Sequence, residues 1–185
     1  MKNEFYAYHT VTDKPMYVGQ NIIFDGTHYN GVHKRVYEKL NIVNQIYSNP
    51  DKFDAETLEH HTRVAFRELA LEKVRQAICP EVPSRMSCLY VSETIAEAEQ
   101  WAESFVNWKR PTYSIVKLKI NGNKFVGDSY NCFDATLNEQ NNLLLAKRYW
   151  NNEPNQYDKE PIKEILVDGD IEVVEIIKEI NANLE

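Results

Sequence analysis

The sequence predicts an α+β fold in a single domain spanning residues 1–185. Three observations carry that reading. Tyr113 to Ile120 alternates Val116, Leu118 and Ile120 with Lys117 and Lys119, the period of a strand with one solvated face. Val32 to Tyr47 spaces Val36, Leu40, Val43 and Tyr47 three and four apart, the period of a helix with one buried stripe. Strand-length and helix-length segments follow one another without repeat, low-complexity tract or regular βα alternation, as in mixed rather than doubly wound domains.

In chain order, Glu4 to Val11 is aromatic and β-branched and reads as a strand that ends before Pro15, with His9 near its C-terminal end. Met16 to Phe24 is a second extended run, interrupted by Gly19, and Asp25 to Gly31 is a glycine-bearing loop. The helix over 32–47 stops at Ser48, Asn49 and Pro50. A second helix over 57–78, with Leu58, Ala65, Leu69 and Ala70 inward, is closed by Pro80 and Pro83. Ser87 to Ser92 is a short strand that passes into Thr94-Ile95-Ala96-Glu97, a capping box opening a helix to about Val106.

After the strand over 113–120, Asn121, Gly122 and Asn123 turn the chain into another strand, Lys124 to Asp128. Thr136-Leu137-Asn138-Glu139 reads as a second capping box, opening a helix to Trp150, and Asn151 to Pro161 is a polar loop. Ile162 to Val167 and Ile171 to Ile177 read as two strands joined by a tight hairpin at Asp168, Gly169 and Asp170, followed by a short polar tail.

Composition excludes several classes. Of the 185 residues 43% are hydrophobic, enough for a genuine core, and 21 basic against 28 acidic side chains give a net charge of −7, which disfavours a nucleic-acid partner. Cys79, Cys88 and Cys132 stand apart with no CxxC pair, so neither a disulfide scaffold nor a structural zinc site is expected. His28 with His33, and His60 with His61, have poor ligand spacing, and no metal is expected. No apolar run approaches a membrane span and the first residues lack a signal-peptide core, so the expectation is a cytoplasmic protein without a membrane partner. Neither GxGxxG nor GxxxxGK[ST] occurs, which leaves out Rossmann and P-loop sites.

Four residues stand in suggestive settings. Tyr8-His9-Thr10 closes the first strand, Leu89-Tyr90-Val91-Ser92 is the short middle strand, Trp101 follows Tyr90 by eleven residues on the next helix, and Glu164-Ile165-Leu166-Val167 opens a late strand. This arrangement resembles the ADP-ribosyltransferase superfamily, in the branch with a His-Tyr-Glu core shared by diphtheria-like toxins and poly(ADP-ribose) polymerases. YHTVTDKPMYVGQNIIF and RMSCLYVSETIAEAEQWA also resemble an uncharacterised bacterial family, DUF2441.

The first resemblance implies a split core of two mostly antiparallel sheets, with the helices over 32–47 and 57–78 covering one side of a cleft. It implies NAD as a substrate and Glu164 as the carboxylate that stabilises positive charge developing on the ribose. Tyr90 and Trp101 would sandwich the nicotinamide ring, His9 would donate a hydrogen bond to a ribose hydroxyl, Thr10 would add a contact, and Arg85 would pair with the pyrophosphate. Gly19, Gln20 and the loop 25–31 would close over the dinucleotide. The activity implied is ADP-ribosyl transfer or NAD glycohydrolysis, with a small-molecule nucleotide and a protein acceptor as partners. Ile162, two residues before Glu164, leaves out the acidic or amide residue of arginine-modifying transferases. Ala98 stands where the superfamily often carries a small hydroxyl residue, which keeps open an alternative: a catalytically silent module of the same fold that binds a nucleotide or a protein.

Overall fold

The computed structural model describes residues 3–182. It is α+β, with seven strands in two mostly antiparallel sheets and five α-helices among the described residues. The chain divides into two compact units, the first gathering the segments up to Asp25, Leu89–Phe125 and from Glu164 onward, the second Gly26–Cys88 and Val126–Lys163. No helix among the described residues is long and apolar enough to cross a membrane.

The first unit is built on β1 (Asn3–Thr12), β2 (Asn21–Phe24), β4 (Thr112–Gly122) and β7 (Gly169–Ala182), ordered β1-β4-β7-β2 with every pair antiparallel. Val116, Leu118 and Ile120 are fully buried as their alternation requires. Ile115 is buried as well, on the opposite face against Ala98 and Ala102 of α4 (Ile95–Asn107), so this part of β4 is covered on both faces. The capping box that opens α4 is formed: Thr94 Oγ1 accepts from the Glu97 amide at 3.2 Å, and Glu97 Oε2 accepts from the Thr94 amide at 3.1 Å.

A second sheet has the order β3-β6-β5, from β3 (Leu89–Val91), β5 (Lys124–Asp128) and β6 (Lys163–Val167). β3 and β6 run antiparallel, with Leu89, Tyr90 and Val91 opposite Val167, Leu166 and Ile165. β1 touches the continuation of β3 through one bridge, in which the Tyr8 and Ser92 amides each donate to the other's carbonyl at 2.9 and 2.7 Å.

The tight hairpin expected at Asp168, Gly169 and Asp170 does not form, while the turn expected at Gly122 does lead into the strand over 124–128, in the other sheet. The strands on either side of Gly122 and those on either side of Gly169 are not hairpins; at both points the chain leaves one sheet for the other. Close backbone approach is the reason. A Cβ on Gly122 would fall on the carbonyl of Asp168, and one on Gly169 would collide with the backbone of Asn121 and Gly122. Gly169 also has φ +91°, which few other residues adopt. Asp168 completes the crossing, accepting on Oδ1 from the backbone amide and the side-chain amide of Asn123, each at 3.0 Å, while its own amide donates to the Asn123 carbonyl at 3.2 Å.

β7 runs to Ala182, so residues 178–182 of the expected polar tail are strand, and the remainder of that tail lies outside the described residues. The run from Met16 is strand only from Asn21. Gly19 and Gln20 are tied to β7 rather than left as a closing flap, the Gly19 amide donating to the Val173 carbonyl and the Val173 amide to the Gln20 carbonyl.

In the second unit, the single helix expected over 32–47 is two: α1 (Gly31–Glu38) and α2 (Leu40–Ser48). Lys39 sits at φ −100°, ψ −1°, and its amide turns back to the Val36 carbonyl, a tightened turn between the two helices; Ile46 is fully buried and Tyr47 packs partly buried on Phe66. α3 (His60–Ile78) contributes Ala65 and Phe66 to the same core. α5 (Glu139–Trp150) is capped by Asn138, whose side chain accepts from the Asn141 amide, and not by Thr136. Thr136 is held instead by Asn142, which is fully buried and also donates to Tyr47 Oη at 2.9 Å.

Because backbone lies on both sides of the crossing, Gly122→Ala should destabilise the chain by about 2–4 kcal/mol. Gly19→Ala is the control: Gly19 has φ +86° but open space around its Cα, so only conformational strain of about 1–2 kcal/mol is expected. Urea unfolding midpoints of the two variants check the order.

Candidate functional site

Five of the six residues singled out in the sequence fall in the first unit: His9 and Thr10 on β1, Tyr90 on β3, Trp101 on α4 and Glu164 on β6. His9 Nδ1 lies 2.7 Å from the Tyr90 carbonyl oxygen. A carbonyl only accepts, so Nδ1 carries the proton. In the neutral ring Nε2 is then an acceptor, the reverse of the donor role expected for His9 towards a ribose hydroxyl.

Burial pushes the His9 pKa down to about 4, opposed by the bond to Tyr90, assisted by the positive charge of Arg110 and opposed by Asp13. Arg110 and Asp13 are themselves paired at 2.9 Å. Around neutral pH the imidazole is therefore uncharged.

The same hydrogen bond locates Tyr90. Its carbonyl points towards β1, on the edge where Ser92 bonds to Tyr8, so Tyr90 and Leu166 form a non-hydrogen-bonded pair across β3 and β6, the close type with Cα atoms about 4.5 Å apart. Cross-strand partners share a face, and Glu164 lies two residues before Leu166 on that face. Tyr90 and Glu164 are thus diagonal neighbours, a spacing of about 7–8 Å that an aromatic and a long side chain can bridge. Both are half-buried.

Thr10 is used differently from the expected cofactor contact. It is buried, and its hydroxyl donates to the Ala98 carbonyl at 2.8 Å, pinning α4 to β1. Three residues on, Trp101 stacks on Phe105 with ring centroids 5.8 Å apart, and Phe105 meets Trp108 edge-on at the same distance. Arg110 lies over the Phe105 ring at 5.0 Å. The aromatic row was open to sequence reasoning through the i, i+4 and i, i+3 spacing of 101, 105 and 108. The Arg110–Asp13 pair, 97 residues apart, had no local signal.

Arg85 belongs to the second unit and is 5% exposed. Its Nε donates to Glu68 Oε2 at 2.8 Å, its Nη2 to Glu68 Oε1 at 3.3 Å and its Nη1 to Tyr149 Oη at 2.9 Å. Burial raises the pKa of the Glu68 carboxyl, but Arg85 and Arg67 outweigh it and hold the group below the usual carboxylate range. A pyrophosphate would have to displace this buried pair, whose breakage leaves an uncompensated charge.

Among the described residues no three of His, Cys, Asp and Glu are grouped as metal ligands would be. His33 is instead sandwiched between Tyr29 and Tyr37, at centroid distances of 3.8 and 4.3 Å.

Within this α+β fold, the short strand carrying Tyr90 and the late strand carrying Glu164 lie side by side around the buried Leu166, with a histidine fastened to the first of them. A family model described as "Protein of unknown function (DUF2441)" matches residues 7–179, and the chain belongs to that family. No curated protein matches the sequence.

The depressed His9 pKa has a measurable signature. A folded value near 4 against about 6.5 unfolded means that the unfolded chain binds the proton first, so this contribution to stability is whole above pH 6.5 and is lost as pH falls towards 4, amounting to at most about 3 kcal/mol. Titration of the His9 ring followed by NMR should give a midpoint near 4, with the other histidines as internal references.

Proposed function

We propose that the chain cleaves the bond between nicotinamide and ribose in NAD, as an ADP-ribosyltransferase or an NAD glycohydrolase, with Glu164 as the catalytic carboxylate. The observation that supports this most is the diagonal placement of Tyr90 and Glu164 on one sheet face, beside a neutral His9 fastened to the Tyr90 backbone. When the C1′–N bond breaks, its electron pair leaves with nicotinamide and positive charge develops on the ribose. A carboxylate fixed beside that charge attracts the transition state more than the ground state and lowers the barrier. Tyr90 offers its ring to the leaving nicotinamide, and offset stacking contributes roughly 0.5–1.5 kcal/mol beyond burial. His9 Nε2 accepts from a ribose hydroxyl and needs no proton to do so. The ribose cation is then captured by water or by a protein acceptor.

A second reading keeps the fold without the turnover: a module that binds a nucleotide or a protein partner. Thr10 and Ala98 favour it. The Thr10 hydroxyl is spent on the Ala98 carbonyl, and Ala98 is fully buried with only a methyl group to offer a carboxamide.

Release of nicotinamide from NAD, followed by chromatography, separates the two. The enzyme reading expects release by the native chain and a fall of about 10²–10³-fold in Glu164→Gln. Saturable NAD binding without release supports the second reading, and release that survives Glu164→Gln unchanged overturns the assignment of the carboxylate.

A further inference from the structure

In the first unit, β7 is the longest strand, and one of its edges is open over most of its length. β2 pairs with that edge only through Gly169 to Glu172, and Gly19 and Gln20 extend the pairing to Val173. Over 174–182 no described strand pairs with it. The same stretch borders a groove of about 510 Å³. α4 lies on β1 through the Thr10–Ala98 hydrogen bond and on β4 through Ile115, and the groove opens between the flank of α4 towards β7 and Lys178, Glu179 and Ile180. Ala102, Val106, Ile115 and Ile180 give it an apolar floor. Glu103 and Glu179 stand exposed at its rim, with Glu175 further along the strand, while Lys178 is paired to Glu99 at 2.7 Å.

We propose that this edge and groove take an extended segment of a partner protein in which basic residues alternate with aliphatic ones, added to the sheet as a strand in line with β2. Main-chain hydrogen bonds to an open edge supply affinity without regard to sequence. Alternate side chains of the added strand fall on opposite faces, so one set fills the apolar floor while the other carries the positive charge that Glu103, Glu175 and Glu179 complement. A second copy of the chain does not suit the surface. Its own β7 would bring Glu175 and Glu179 against the same two acids, and like charges facing one another oppose pairing. Three register shifts against β4 coil this edge, which a second sheet follows poorly and a short extended segment follows readily.

The test titrates the native chain into a fluorescent peptide of about nine residues, the length of the open edge, with lysine and valine in alternation and both ends blocked, read by anisotropy at about 0.1 M salt. Saturable binding is expected. Replacing every lysine of the peptide by glutamate should weaken it at least about tenfold. N-methylation of alternate peptide amides should weaken binding in one register, where it removes the donors aimed at β7, and spare it in the other. Glu103→Gln combined with Glu179→Gln should weaken binding at least about fivefold, whereas Glu56→Gln combined with Glu160→Gln, exposed acids of the second unit whose loss changes the net charge equally, should leave it unchanged. Absence of saturable binding, equal affinity for the lysine and glutamate peptides, indifference to N-methylation in both registers, or a dimer of the chain that the peptide disperses would overturn the proposal, the last by assigning the edge to a second copy.

Discussion

The close approach of Gly122 to the backbone of Asp168 and Gly169 is the constraint on which the first unit depends. Two chain segments pass each other there with no side chain between them, and each exchanges one sheet for the other. Without that crossing β6 would continue beside β7 as a simple hairpin, and Glu164 would have no place next to β3. With it, β6 pairs with β3 and its first inward position falls diagonal to Tyr90. The placement of Tyr90 relative to Glu164 thus follows from two missing methyl groups some distance along the chain from either side chain.

A second layer of constraint joins β1 to β3. The Tyr8–Ser92 bridge and the His9–Tyr90 hydrogen bond lie on the same edge, so the imidazole is oriented by backbone that is itself locked in register. Orientation of this kind selects one tautomer and leaves the other ring nitrogen with a lone pair, and burial together with Arg110 keeps the ring neutral. Thr10, one residue on, has a structural task, tying α4 to the sheet. Adjacent residues of one strand therefore make different contacts, His9 with the Tyr90 carbonyl and Thr10 with the Ala98 carbonyl, because alternate positions face opposite sides.

Much of this was legible in the sequence and some was not. The alternation from Val116 to Ile120 and the Thr94–Glu97 capping box are local patterns, and both appear as expected. The crossing was read as two turns because Asn-Gly and Asp-Gly supply the same backbone freedom to a hairpin as to a change of sheet; only the contact between residues 122 and 169 distinguishes them. Lys39 breaks a helix whose periodicity runs on through it, and Asn138 caps α5 although Thr136 fits the motif equally well. Arg85 looked available beside a short strand, yet Glu68 and Tyr149, 17 and 64 residues away, enclose it. Where local chemistry allowed two outcomes, contacts distant in sequence decided between them.

The most direct measurement is the structure of the chain with a non-hydrolysable NAD analogue bound. The account predicts the nicotinamide ring against Tyr90, the Glu164 carboxylate facing the ribose carbon that bears it, and His9 Nε2 at hydrogen-bond distance from a ribose hydroxyl. An analogue seated away from the face shared by Tyr90 and Glu164 would contradict it.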